Sequence, residues 1–143
     1  YRNPYAAVMT TQASEINPDS YTIENIRILV YRSLNFWKTY GPITVDGFTF
    51  EGGYTDIINT GDGDFLTKDT LWDFKVSKNP PTNKHTLQIL VYYLMGKHSG
   101  KPEYKNIQKI GIYNPRLNQA YILDTSNIPQ NIIKEVKEKV IGY

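Results

Sequence analysis

Apolar residues recur at helical spacing in three stretches of this chain and at strand spacing between them. In "PDSYTIENIRILVYRSLNFWKTYG", Ile23, Ile26, Val30, Leu34 and Trp37 lie three or four residues apart, which predicts a helix with one apolar face. Asp19 or Ser20 is placed to cap it, and Gly41–Pro42 stops it. "VDGFTFEGGYTDIINTGDGDFLTKDTLWDFKVSK" alternates between faces and is broken by Asp–Gly, Gly–Gly and Lys–Asp turn signals. It predicts three antiparallel strands near 47–50, 54–59 and 63–67, then a more buried strand over 71–77. "NKHTLQILVYYLMGKHSG" reads as a second helix, capped at Thr82 and closed by Gly100. "IQKIGIYNP" and "QAYILDTS" read as two strands joined by a turn at Arg116–Asn118. "IPQNIIKEVKEKVIGY" reads as a closing amphipathic helix with Ile132, Ile133, Val136 and Val140 inward.

The order of elements predicts a single α/β domain over 1–143, a mixed sheet between helices, with residues 1–20 as an irregular N-terminal extension. The helix between the strands at 71–77 and 107–113 is long enough for a right-handed parallel crossover. Composition agrees: 143 residues, 40% hydrophobic, suffice for one domain with a real core.

Absent residue types narrow the chemistry. With no cysteine, disulfides, thiol nucleophiles, cysteine-bound zinc and iron–sulfur clusters are excluded. No apolar run reaches the roughly 18 residues of a membrane span and no secretory signal is read, so the expectation is a cytoplasmic protein without a membrane partner. A net charge of +2 tolerates a polyanionic partner without demanding one.

"GDGDFLTKDTLWDFKVSK" breaks the pattern. Residues two apart on a strand share a face, so Trp72, Phe74 and Val76 supply a buried face while Leu71, Asp73 and Lys75 point the other way. A hairpin turned at Lys68–Asp69 sets Asp64 opposite Asp73. Two close carboxylates repel, and either one binds a proton or a cation sits between them. Magnesium suits such a site: one or two carboxylates, a carbonyl and waters complete its shell. The Phe74 carbonyl, between Asp73 and Lys75, is placed to contribute, and Lys75 to orient or deprotonate a water or to neutralise phosphate charge.

Gly61-x-x-Asp64, Asp73-x-Lys75 and Gln88-x-x-x-Tyr92, in this order, resemble the PD-(D/E)XK nuclease superfamily. The Gln-x-x-x-Tyr pair on the following helix makes the chain most similar to RecB-type nuclease domains, over roughly residues 20 to 125. The resemblance implies a restriction-endonuclease-like core, a central mixed β-sheet flanked by helices. It implies hydrolysis of nucleic-acid phosphodiesters, with DNA the expected substrate and Mg2+ or Mn2+ the cofactor. Mapped by motif, Asp64 and Asp73 hold the metal and Lys75 is the catalytic lysine. Gln88 and Tyr92 share a helix face beside the active site, and His85, three before Gln88, shares it too. RecB-type domains often carry an upstream histidine as a further ligand. Here both histidines, His85 and His98, follow the lysine; Glu24 is the best substitute, with Glu15 behind it.

Plainer readings stand beside these. Asp73 and Lys75 alone would be a surface salt bridge, Gln88 and Tyr92 ordinary polar positions, His85 a helix-start residue and Glu24 a first-turn glutamate. Asp62 reads as a turn residue, and the Asp62–Asp64 run lacks the later ligand and glycine of an EF-hand loop. Lys78 and Lys84 flank the loop beside the proposed site and are candidates for phosphate contacts. Trp37 and Trp72 read as core. The alternative function is a non-catalytic module binding nucleic acid or protein on the same fold. Specificity is expected from structure in the nucleic acid, from a protein partner or from a larger parent chain.

Overall fold

The computed structural model of the protein describes residues 20–143; the expected N-terminal extension up to residue 19, with Glu15 and the Asp19 cap, lies outside the described residues. Helix α1 (Ser20–Tyr40) leads into strands β1 (Val45–Phe48), β2 (Gly63–Leu66) and β3 (Thr70–Phe74). Helix α2 (Asn83–Ser99) follows, then β4 (Lys109–Asn114), β5 (Gln119–Asp124) and α3 (Gln130–Glu135), which continues as a π-helical turn over Val136–Ile141. The strands form one sheet in chain order. β1–β2, β2–β3 and β4–β5 are antiparallel; β3–β4 is parallel, with α2 as the crossover, as the sequence predicts.

The alternation along β3 explains the layers. Leu71 joins the larger core, under α2 and the last helix, with Leu90, Leu94, Met95 and Ile141. Trp72 and Phe74 point to the other face, where α1 covers them. There Phe36 stacks on Tyr113 at 4.1 Å and meets Trp72 edge-on at 4.7 Å. The indole N–H of Trp72 donates to Thr67 Oγ1 at 3.1 Å, so the largest buried side chain brings no unsatisfied polar atom inside. Gly111 makes room for that ring: a Cβ there would fall 2.5 Å from it.

Several elements depart from the sequence pattern. β1 begins two residues before the predicted strand, and β3 ends at Phe74 rather than at 77. Residues 54–59 form no strand. Thr55 instead closes a turn, its N–H donating to the Ile58 carbonyl at 2.9 Å, and its hydroxyl is tied to the Ile141 carbonyl. The Tyr54 hydroxyl donates to the Gly61 carbonyl at 3.0 Å. Gly53 lies so close under α2 that a Cβ would meet the Met95 carbonyl at 2.3 Å. Turn and side-chain hydrogen bonds thus take the place of a sheet neighbour for part of this segment's polar groups.

Helix α1 is turned from its predicted phase. Ile26 and Trp37 face inward as expected, but Ile23, Val30 and Leu34 are exposed, and Ser33 and Phe36 are buried in their place. Two overlapping apolar stripes, about 100° apart, exist on this helix. Packing of Phe36 between Tyr113 and Trp72 selects one, and Arg32 secures it through hydrogen bonds of 3.0 Å to the Pro115 and Arg116 carbonyls. In the last helix Val136 is buried as predicted, Ile133 and Val140 are half-buried, and Ile132 is exposed; Ile141, outside the predicted set, is fully buried. The π-helical turn shifts the register of the final residues and brings Ile141 inward.

Candidate active site

The β2–β3 hairpin pairs Phe65 with Trp72 and Leu66 with Leu71. The same register centres the turn on Lys68–Asp69 and sets Asp64 opposite Asp73. Asp64 Oδ2 accepts a 2.6 Å hydrogen bond from the Phe74 backbone N–H, which locks it against the end of β3. Lys75 Nζ stands 3.3 Å from Asp73 Oδ2, and the Asp73 side chain retains only 17% of its exposure. The Phe74 backbone runs between Asp73 and Lys75, while its ring faces the α1 side against Trp37 and Tyr113. The three charged side chains predicted to converge are thus carried by one hairpin and the residue just beyond it.

Electrostatics mark Asp73 as the unusual member. Its carboxyl is pushed up from 3.8 to about 7, chiefly because burial penalises the charged form. Lys75 opposes that shift, and the neighbouring Asp64 charge adds to it. The site therefore lacks positive charge: one ammonium does not compensate two carboxylates, one of them largely buried.

Helix α2 carries both Gln88 and Tyr92. Gln88 Nε2 donates to the Tyr92 hydroxyl at 3.2 Å. The Tyr92 ring packs on Phe50 at 4.9 Å and borders Gly61, three residues before Asp64. His85 takes the plainer role: its Nδ1 accepts from the Thr82 N–H at 3.2 Å, closing the start of α2. Its Nδ1 is thereby committed to the helix end. Lys78 and Lys84 are both exposed, on the loop leaving β3 and on the first turn of α2.

The expected third ligand is not brought to the site. Glu24 sits on α1, the helix that covers the opposite face of the sheet, with its side chain 63% exposed and 4.0 Å from Arg27. Among the described residues no group of three or more histidine or acidic side chains is gathered as a metal cluster. Asp62 is exposed beside Gly61, consistent with a turn residue.

One residue in the site's frame carried no signal as a site residue. Asn114, last in β4 and almost wholly buried, gives its amide to the chain leaving β3: Nδ2 donates to the Ser77 carbonyl at 2.7 Å, and Oδ1 accepts from the Ser77 N–H at 3.3 Å. In sequence it stands before a proline at a strand end, which reads only as a turn.

Among the described residues no helix is long and apolar enough to cross a membrane. No family model matches the chain, and no curated protein or solved structure matches it.

Proposed function

We propose that the protein is a divalent-metal-dependent nuclease that hydrolyses phosphodiester bonds, with DNA as the substrate to try first. The observation that carries this reading is the Asp64–Asp73–Lys75 group on one hairpin, with the Asp73 carboxyl raised to about 7 by burial and by its acidic neighbour. A purely structural salt bridge has no need of a second carboxylate that makes ionisation harder. A site that takes a cation does, because the cation supplies the charge that is lacking.

The donor set fits magnesium or manganese. Asp64, Asp73 and the Phe74 carbonyl would hold the ion, and two carboxylates with waters are an ordinary complement for magnesium. When bound, the ion supplies Lewis acidity toward the phosphate and charge for the departing oxygen. Lys75, held beside Asp73, positions the attacking water and offsets charge on the phosphate. Gln88 and Tyr92, joined by their hydrogen bond on α2, would help hold the water or the nucleic acid beside the metal. Lys78 and Lys84, both exposed, would contact the phosphates of a nucleic acid. The order of elements, α1–β1–β2–β3–α2–β4 with a parallel β3–β4 pair, supports a restriction-endonuclease-like core.

The test is cleavage of supercoiled plasmid, linear duplex, single-stranded DNA and RNA with magnesium, manganese or chelator, run beside Asp73→Ala. Metal-dependent cleavage that the variant lacks is expected. A folded protein that binds neither metal and cleaves nothing would favour the non-catalytic binding module on the same fold.

A further inference from the structure

We infer that Asn114 is a positioning residue for Lys75, acting through the backbone just beyond the lysine; this role rests on the nuclease reading. The β3–β4 pairing carries a constant offset, from Thr70 beside Lys109 to Phe74 beside Tyr113. Carried one step further, it sets Lys75 level with Asn114. The ladder does run that far, for the Lys75 N–H donates to the Tyr113 carbonyl at 2.9 Å. In a parallel pair, level residues share a face, so Asn114 flanks the lysine on the side away from Asp64.

Past this point the chain must leave the sheet for the Pro80–Pro81 loop and α2, and no backbone partner on β4 takes over: after Asn114 comes Pro115, which has no N–H. The Asn114 side chain replaces it. Nδ2 donates to the Ser77 carbonyl at 2.7 Å while Oδ1 accepts from the Ser77 N–H at 3.3 Å, so one amide pairs with both polar groups of one residue. Nδ2 also reaches the Asn79 carbonyl at 3.5 Å, and Oδ1 takes the N–H groups of Arg116 at 3.0 Å and Leu117 at 3.4 Å.

Asn114 is 1% exposed and its amide is fully used, so it has nothing to offer a substrate. Its effect passes through the main chain. Lys75 is a long side chain that loses rotamer freedom when its ammonium is kept on Asp73. A root fixed on both sides, by the Tyr113 bond and by the Ser77 clamp, restricts where that ammonium can go.

Asn114→Asp tests this in the full chain. It keeps the acceptor atom for Ser77, Arg116 and Leu117 and turns the donor facing the Ser77 carbonyl into a second acceptor. Three quantities are read: cleavage of linear duplex DNA with manganese, manganese affinity, and amide hydrogen exchange over residues 75–79. The expected result is a kcat at least tenfold lower, KM and manganese affinity within threefold of wild type, and exchange over 75–79 at least tenfold faster while Leu71 and Trp72 are unchanged. Should this variant fail to fold, Ser77→Pro removes the donor on the other side of the clamp and is read the same way. Wild-type kcat in a variant whose exchange has quickened overturns the positioning role alone, as does exchange that does not change. Absence of cleavage by the wild type overturns the nuclease reading and this role with it.

Discussion

Asp73→Asn should make the metal-free protein more stable in base and leave it nearly unchanged in acid. The Asp73 carboxyl is moved from 3.8 to about 7 by burial and by Asp64. Below about pH 4 the group is protonated in the folded and unfolded chains alike and has no effect. Between about pH 4 and 7 the folded protein keeps a proton that the unfolded chain has lost, so stability falls as pH rises and levels off above 7. At about 1.4 kcal/mol per pH unit, the interval sets a ceiling of roughly 4 kcal/mol on the burden of the ionised group. Asparagine keeps the shape without the charge but leaves Lys75 without its partner, so about 2 kcal/mol of stabilisation is expected at pH 8. The assay is urea unfolding of wild type and variant at pH 4 and pH 8 with chelator present. Other titrating groups cancel in the difference between the two proteins. A variant destabilised equally at both pH values would refute the reasoning, since Asp73 would then act as an ordinary structural partner of Lys75.

Other expectations follow from single contacts. Lys75→Ala should lower cleavage by about 10²- to 10⁴-fold, as for loss of a group that assists proton transfer or charge in the transition state; manganese titration of the variant should give an affinity close to wild type. Gly53→Ala should cost roughly 1–3 kcal/mol by denaturant unfolding, because the added methyl meets the Met95 carbonyl at 2.3 Å. Ile141→Ala, at a position with no exposure, should cost about 2–5 kcal/mol, whereas Ile132→Ala, 40% exposed on the same segment, should cost under about 1 kcal/mol.

The geometry of the candidate site was legible where one strand and its turn encode it. The period of two along 71–75 separates Trp72 and Phe74 from Asp73, and the Lys68–Asp69 turn fixes the register that sets Asp64 opposite Asp73. Nothing tertiary was needed for either step. Glu24, expected as a substitute ligand, was misplaced for the converse reason: it is separated from the hairpin by the sheet itself, and which face α1 covers depends on Phe36 meeting Tyr113 and Trp72. The same contact chose between two apolar stripes on α1, which spacing alone leaves equivalent. The strand expected at 54–59 had β-rich residues, but Tyr54 and Thr55 spend their hydroxyls on Gly61 and Ile141, and a loop resulted. Asn114 was hidden because its role lies in two backbone groups far along the chain, and a lone asparagine before proline signals only a turn. The degree to which Asp73 is shielded also comes from packing that no short motif describes.

The central claim is that Asp64 and Asp73 are paired to hold a divalent cation, and calorimetric titration with manganese tests it most directly. With Asp73 titrating at about 7, binding at pH 7 should expel about half a proton per ion, measured in buffers of different ionisation enthalpy, and close to none at pH 9. Asp64→Asn and Asp73→Asn should each abolish most of the affinity. Saturable binding with that proton release is the result the account predicts. No binding by the folded wild type, or binding that survives loss of both carboxylates, would contradict it.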